Sequence, residues 1–320
     1  MLDALLDEFP FVDQASRSVA LSELITPVVR GALSVAPMHA NRAPVPGSGK
    51  SFLADISSAI CIGQPCPVLS AGFDEFELEK RLGAALLTGQ PLVAIDNLNG
   101  ELRGDFLCQL IERPIVKVRP LGVSNLVSIE SKATVFANGN NLVLVGDVVR
   151  RVVLCSLDPQ MERPELREFK LDPVDTVLGD RGAYIAAALT VVRAYLAAGC
   201  PGELPALASF EDWSRLVRSA LVWLGRADPV ATMEAARGED PELEALRRVF
   251  AAWHAAVGSH PCTTGALIEI AEERDRVSSN RKHPELHTAL MEVAATGGVL
   301  NARQGAELVG GSGIKVGICG

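Results

Sequence analysis

Basic charge is in deficit: 30 Lys+Arg stand against 39 Asp+Glu, giving a net charge of −9 and a pI near 5.2. A uniformly basic coat for nucleic acid is excluded, and only a local basic loop is left open. Long apolar runs are missing too. The longest, 183–198, is broken by Arg193 and falls short of the about 20 residues a bilayer span needs. It reads as a buried helix, with no membrane partner. Met1 to Phe11 carries Asp3, Asp7 and Glu8, which is not the basic-then-apolar order of a secretory leader. The seven cysteines (61, 66, 108, 155, 200, 262 and 319) are odd in number and widely spaced, so they suit a reducing cytoplasm better than a disulfide framework. Cys61 and Cys66 lack a second pair with metal spacing. His283 and His287 flank Pro284 at a helix start without further ligands, so neither group reads as a metal site. There is no internal repeat or low-complexity tract.

What is present is an apolar chain, 48% hydrophobic, long enough for about two domains at roughly 150 residues each. Residues 1–35 carry amphipathic helix patterns. From 36 to 158 the texture changes to short apolar runs of strand type at 67–70, 91–95, 115–118, 126–129, 133–137 and 151–156. Helical patterns at 74–87 and 101–111 fall between them, and strands alternating with helices predict an α/β core with a largely parallel sheet. The stretch 157–182, rich in Pro, Asp and Glu, reads as a linker within a helical region that continues to 260. Helices are predicted at 183–199, 210–224 and 241–257. Residues 261–320 form a small C-terminal module of two helices, Gly297-Gly298 and a short apolar piece, which suits either a winged helix or a short helical bundle.

The sharpest signal is PVPGSGKS, 44–51, ahead of the helical pattern FLADISSAI. Backbone amides at a helix start are suited to a polyanion. Gly47 and Gly49 allow close backbone approach around Ser48, Lys50 reaches the β- and γ-phosphates of ATP, and Ser51 supplies a hydroxyl to Mg²⁺. The usual pattern opens with Gly six residues before the lysine, where this chain has Pro44. Downstream, PLVAIDN places Asp96 at the end of an apolar run, positioned to hold the metal with Ser51. Asn97 follows. An amide orients water but takes no proton, so a hydrolytic base must come from elsewhere, with Glu75 and Glu77 as unranked candidates. The run ATVFANGNN ends in amides, read either as a strand tip whose Asn140 meets the attacking water and γ-phosphate, or as an Asn-Gly hairpin turn. GDVVRRVVLCS sets Arg150 and Arg151 before another strand, either as solvated flanks or as guanidiniums aimed at a neighbouring subunit's γ-phosphate.

In this order GSGKS, VAIDN, FANGNN and GDVVRR resemble the AAA+ ATPases, and among them the superfamily 3-like helicases of phages and mobile elements. The wider run from SRSVALSELITPVVRGAL through LDPQMERPELREF is similar to the ATPase part of prophage and plasmid primase–helicase proteins, over residues 10–260. The resemblance implies a phosphate loop at Gly47, Gly49, Lys50 and Ser51, a metal-binding strand at Asp96 and Asn97, a sensor at Asn140, and an arginine finger at Arg150 or Arg151. Asn138 stands where relatives often carry threonine. It also implies a ring, commonly of six copies, that uses ATP and Mg²⁺ to pull single-stranded DNA through a central pore. The hairpin pattern IVKVRPLGVSNLVSIE puts Lys117 and Arg119 on one strand face, where they either meet DNA phosphates or are an ordinary solvated face. The group from Arg274 to Lys282 has the same two readings. No Asp-x-Asp pair stands on a strand outside the core, so primase chemistry is absent and a primase would be a separate partner. Two other classes stay open: an ATP-holding assembly protein or switch with little turnover, and a DNA-binding loader or regulator on the same fold.

Overall fold

A computed structural model describes all residues except 73, 123, 162, 167–169, 277, 297–298 and 301–320. The chain divides into two compact units, Met1–Glu239 and Asp240–Gly320.

In the first unit, α1 (Gln14–Val29) starts at Asp13, whose carboxylate accepts from the Ser16 amide at 2.7 Å. The helix is buried on nearly every side and is a core element. The chain continues as β1 (Met38–Ala43), α2 (Lys50–Ile62), β2 (Val68–Ser70), α3 (Glu75–Leu87), β3 (Leu92–Leu102) and α4 (Asp105–Glu112). A two-stranded hairpin follows, β4 (Ile115–Val118) against β5 (Val127–Glu130), then β6 (Thr134–Leu144) and β7 (Val152–Ser156). The five long-range strands form one all-parallel sheet in the order β2-β3-β6-β1-β7, with helices between them. The predicted α/β core is therefore present. In such sheets ligands settle beyond the carboxyl ends of the strands, where the order reverses. Here that point lies after β1, flanked by β6 and β7.

The sequence pattern omits β1 because MHANRA is half polar. The strand is nonetheless buried, with His39 and Asn41 both 0% exposed. Partners inside the core make this tolerable: His39 Nε2 meets Ser22 Oγ at 2.8 Å, and Asn41 Nδ2 donates to Glu23 Oε1 at 3.2 Å and Asn138 Oδ1 at 3.1 Å. His39 packs edge-on against Phe136 and Trp213, and the Trp213 indole donates to Thr26 at 3.0 Å.

Two boundaries differ from the expectation. β3 runs on past Ile95 to Leu102, shortening the predicted 101–111 helix to α4. Beyond Ile95 only one face is covered, so Leu98 and Leu102 are buried while Asn97, Asn99 and Glu101 are exposed, and the apolar run no longer marks the strand. β6 likewise continues through Asn138-Gly139 to Leu144, paired to β3, so that dipeptide is not a hairpin turn. Gly139 is needed because an added Cβ would sit 2.8 Å from the Leu98 carbonyl oxygen and 2.9 Å from its Cβ.

Residues 157–182, read as a linker, carry α5 (Pro173–Gly179), whose Val177 is fully buried in the core of this unit. Arg181 then donates to the Ile60 carbonyl at 3.0 Å, at the end of α2. After α6 (Arg181–Ala197) come α7 (Glu211–Trp213), a π-helical stretch (Ser214–Arg218), α8 (Ser219–Trp223) and α9 (Ala231–Gly238). No described helix is long and apolar enough to cross a membrane.

The second unit packs α10 (Pro241–Val257), α11 (Thr264–Glu272) and α12 (Pro284–Ala294) around Val249, Leu267, Leu286 and Leu290. Two short antiparallel strands follow, β8 (Ala295–Thr296) and β9 (Val299–Leu300). Beyond 260 the two expected helices are present, and β8 and β9 add β structure after them. The tail from 301 onward lies outside the described residues.

Candidate active site

Beyond the carboxyl end of β1 the chain turns through 44–49 into α2. Gly47 and Gly49 have φ of 74° and 97°, in the left-handed region that a side chain disfavours. That backbone brings Lys50 to the first position of α2, and the first amides of a helix have no intrahelical carbonyl to bond. Lys50 is 8% exposed, and its Nζ donates to Asn140 Oδ1 at 2.8 Å, Ser48 Oγ at 3.0 Å and the Val45 carbonyl at 3.2 Å. All three acceptors are neutral. Burial lowers the Lys50 pKa, and the charge of Asp96 opposes that shift.

Asn140 reaches Lys50 because β6 lies between β1 and β3, with Asn140 opposite Ala43 on one side and Asn99 on the other. Asp96 reaches Ser51 through an irregularity in β3. Ile95 pairs with Ala137 and Leu98 with Gly139, so Asp96 and Asn97 together stand against Asn138. Such a bulge re-aims side chains. Asn97 takes φ 58°, and Asp96 Oδ1 accepts from Ser51 Oγ at 3.2 Å. Lys50, Ser48, Asn140, Ser51 and Asp96 thus converge, and Asn97 is exposed beside Asp96.

Other expected residues lie in other contacts. Glu75 accepts from the Asp105 amide at 2.8 Å at the start of α4, and Glu77 pairs with Lys80 at 2.6 Å. Arg151 is 4% exposed. Its Nε donates to Glu112 at 2.8 Å and its Nη1 lies 2.6 Å from Asp147, so it is an internal structural cation rather than a group free to reach a neighbour. Although burial acts to raise the Glu112 pKa, hydrogen bonds from Ser209 and Arg151 outweigh it and lower it. Arg150 is the exposed member of the pair, with its side chain 45% accessible and held by Asp147 at 2.5 Å. Lys117 lies opposite Ser128 in the β4–β5 hairpin. It and Arg119 are exposed, while Val116 and Val118 pack inward. The loop carries the most exposed apolar side chain of the described residues, Leu121 at 94%.

Two features were not anticipated. Asp55, one turn beyond Ser51 on α2, accepts from the Cys66 amide at 2.9 Å. Burial raises its pKa against that hydrogen bond, with help from the Asp96 charge. The i, i+4 spacing of Ser51 and Asp55 is visible in the sequence, but their approach to Asp96 is not. The second feature is a cavity of about 650 Å³ against the same loop, lined by Val12, Ser16, Pro44, Leu142, Leu157 and Thr232 among others. Arg42 and Glu239 pair on its wall, Nη2 to Oε1 at 2.9 Å. Volume and apolar lining fall in the range of small-molecule sites. No group of three or more His, Cys, Asp or Glu suited to a metal occurs among the described residues.

No protein-family model matches the chain, and no curated protein matches it. Solved structures similar to it include the apo A form of the NrS-1 C-terminal region (TM-score 0.42, 13% identity, covering 86% of this chain and 59% of that one). The JCV helicase is another (TM-score 0.34, 14% identity, covering 80% and 63%). The chain spans less than two thirds of the length of either. At this level of likeness, the function of this chain is argued from its own site.

Proposed function

We propose that this chain is an Mg²⁺-dependent ATPase, working as a ring of copies, that couples ATP hydrolysis to translocation on or unwinding of single-stranded DNA in the replication of a mobile element. The observation that carries the reading is Lys50. A largely buried ammonium that meets only neutral oxygens, at the start of a helix, is suited to an anion. A triphosphate fits it, and the adjoining cavity fits a nucleoside.

In this reading, amides 47–51 and Lys50 hold the β- and γ-phosphates. Ser51 and Asp96, already in contact, hold the metal, which neutralises charge on the phosphates. Asn140 turns from Lys50 toward the γ-phosphate and orients the attacking water. Arg150 serves the neighbouring copy's site, since Arg151 is committed to Glu112 and Asp147. Lys117 and Arg119 meet backbone phosphates of the strand, so sequence is not read.

The test is ATP turnover with and without single-stranded DNA on protein sized by light scattering. Stimulation by DNA, loss in Lys50→Ala and a multimeric mass are expected; activity indifferent to DNA and to Lys50 removes the reading. One observation favours a second reading, an ATP-holding switch: Asn97 occupies the place after Asp96, and both Glu75 and Glu77 are engaged elsewhere. Tight ATP binding with negligible turnover in the assembled, DNA-bound state selects that reading. A loader or regulator would instead footprint one defined sequence.

A further inference from the structure

The segment joining α11 to α12 in the second unit carries four cations, Arg274, Arg276, Arg281 and Lys282, against two carboxylates, Glu273 and Asp275, in a chain of net charge −9. It is not a loose solvated end. The Lys282 amide donates to the Glu273 carbonyl at 2.9 Å and the Asp275 amide to the Asn280 carbonyl at 2.8 Å, and between these bonds Arg274 and Arg281 face each other in an antiparallel bridge. With the hydrogen bonds on the flanking residues, this is the closer, non-hydrogen-bonded kind of pair, whose side chains leave on the same face.

Like charges set directly opposite are destabilising. Of the local carboxylates, Glu273 pairs with Lys282 and also faces the charge of Arg276, and Asp275 accepts from the amide and hydroxyl of Ser278 at 2.8 and 3.1 Å. Arg274 donates to the Ser279 carbonyl at 3.1 Å, while Arg276 and Arg281 make no ion pair among the described residues. His287 on α12 adjoins the same face. After burial, its pKa is lowered chiefly by the charge of Arg281 and also by Arg274, with Glu272 opposing. A like-charged pair set directly opposite in a bridge is accounted for by an anion that both guanidiniums share.

We infer that Arg274 and Arg281, flanked by Arg276 and Lys282, form a second nucleic-acid contact that grips backbone phosphates, independent of the nucleotide site. Arginine suits this ligand because its planar fork takes two phosphate oxygens at once. Phosphates recur along a strand, so several cations on one turn can be engaged together.

The test uses the full chain in a Lys117→Ala/Arg119→Ala background, without nucleotide. Fluorescence anisotropy follows a short labelled single strand and the duplex of the same sequence over a salt series. Loss of two phosphate contacts in Arg274→Gln/Arg281→Gln should weaken binding and flatten log K against log salt by about 1.8 for duplex or about 1.4 for single strand. The two probes decide which form the turn takes. Arg281→Glu replaces the repulsion with an ion pair, so it should melt no lower than its parent while binding is lost, which separates folding from contact. Unchanged affinity and slope in both variants overturn the inference. So does polyglutamate that displaces the oligonucleotide at equal charge, since the turn would then be an acidic-peptide site.

Discussion

Glu23 gives the most quantitative handle on the polar network behind the active site. It is 0% exposed on α1, its Oε1 accepts from Asn41, its Oε2 has no hydrogen-bond partner among the described residues, and burial pushes its pKa from 4.5 up to about 8. The folded state therefore holds a proton that the unfolded state releases above pH 4.5, and stability must fall as pH rises from there to about 8. At 1.36 kcal/mol per unit, the loss is about 3 kcal/mol at pH 7 and about 5 kcal/mol above pH 8, upper values that relaxation will reduce. His39 has the opposite sign. Burial drops its pKa from 6.5 to about 3, so its contribution is lost as pH falls below 6.5. In the wild type the two slopes cancel between 4.5 and 6.5, leaving a plateau.

Glu23→Gln keeps the shape and removes the titration. Urea unfolding from pH 4 to 9, followed by tryptophan fluorescence in a Trp253→Phe background so that reporters remain only in the first unit, should show the two proteins near equal at pH 4.5. The variant should pull ahead by about 1.4 kcal/mol per pH unit up to pH 8. Parallel profiles would mean that Glu23 is ionised in the folded state, and the neutral network would be wrong.

Arg151→Ala breaks a buried ion pair and should cost about 3 kcal/mol in the same unfolding assay, whereas Arg150→Ala should leave stability within about 0.5 kcal/mol and abolish assembled ATP turnover. Equal effects on stability would deny the division of labour between them. Gly139→Ala drives a Cβ into the Leu98 backbone beside the bulge that aims Asp96; a loss of about 1–3 kcal/mol, with ATP turnover falling further than stability explains, is expected from unfolding and rate measured together. A variant as stable and active as the wild type would show that the bulge does not depend on this close approach.

Local chemistry was legible in the sequence and long-range order was not. Gly47, Gly49, Lys50 and Ser51 announce their loop because each type answers a local need within five residues, and Asp96 follows from an apolar run ending in a carboxylate. β1 escaped because His39, Asn41 and Arg42 look solvated until Ser22, Glu23, Asn138 and Ser156 are brought to them. For the same reason Glu23 reads as an ordinary helix-surface acid. Arg150 and Arg151 are adjacent and identical in type; their environments differ in burial and in distance to Glu112 on α4, which hydrogen-bonds Arg151 and lies 3.7 Å from Arg150. The extension of β3 past Ile95 and of β6 through Asn138-Gly139 was hidden because each strand there is covered on one face and stabilised by pairing with the other. Sheet order depends on crossovers, which periodicity does not encode.

The loop at Lys50 is most directly tested by calorimetric titration of the full chain with ATP and Mg²⁺ beside the Lys50→Ala variant, with melting curves to show both are folded. Saturable binding by the wild type, lost in an equally stable variant, is the predicted result. Equal affinity in the two proteins, or no heat from either, would contradict the assignment of this turn as the cradle of a triphosphate.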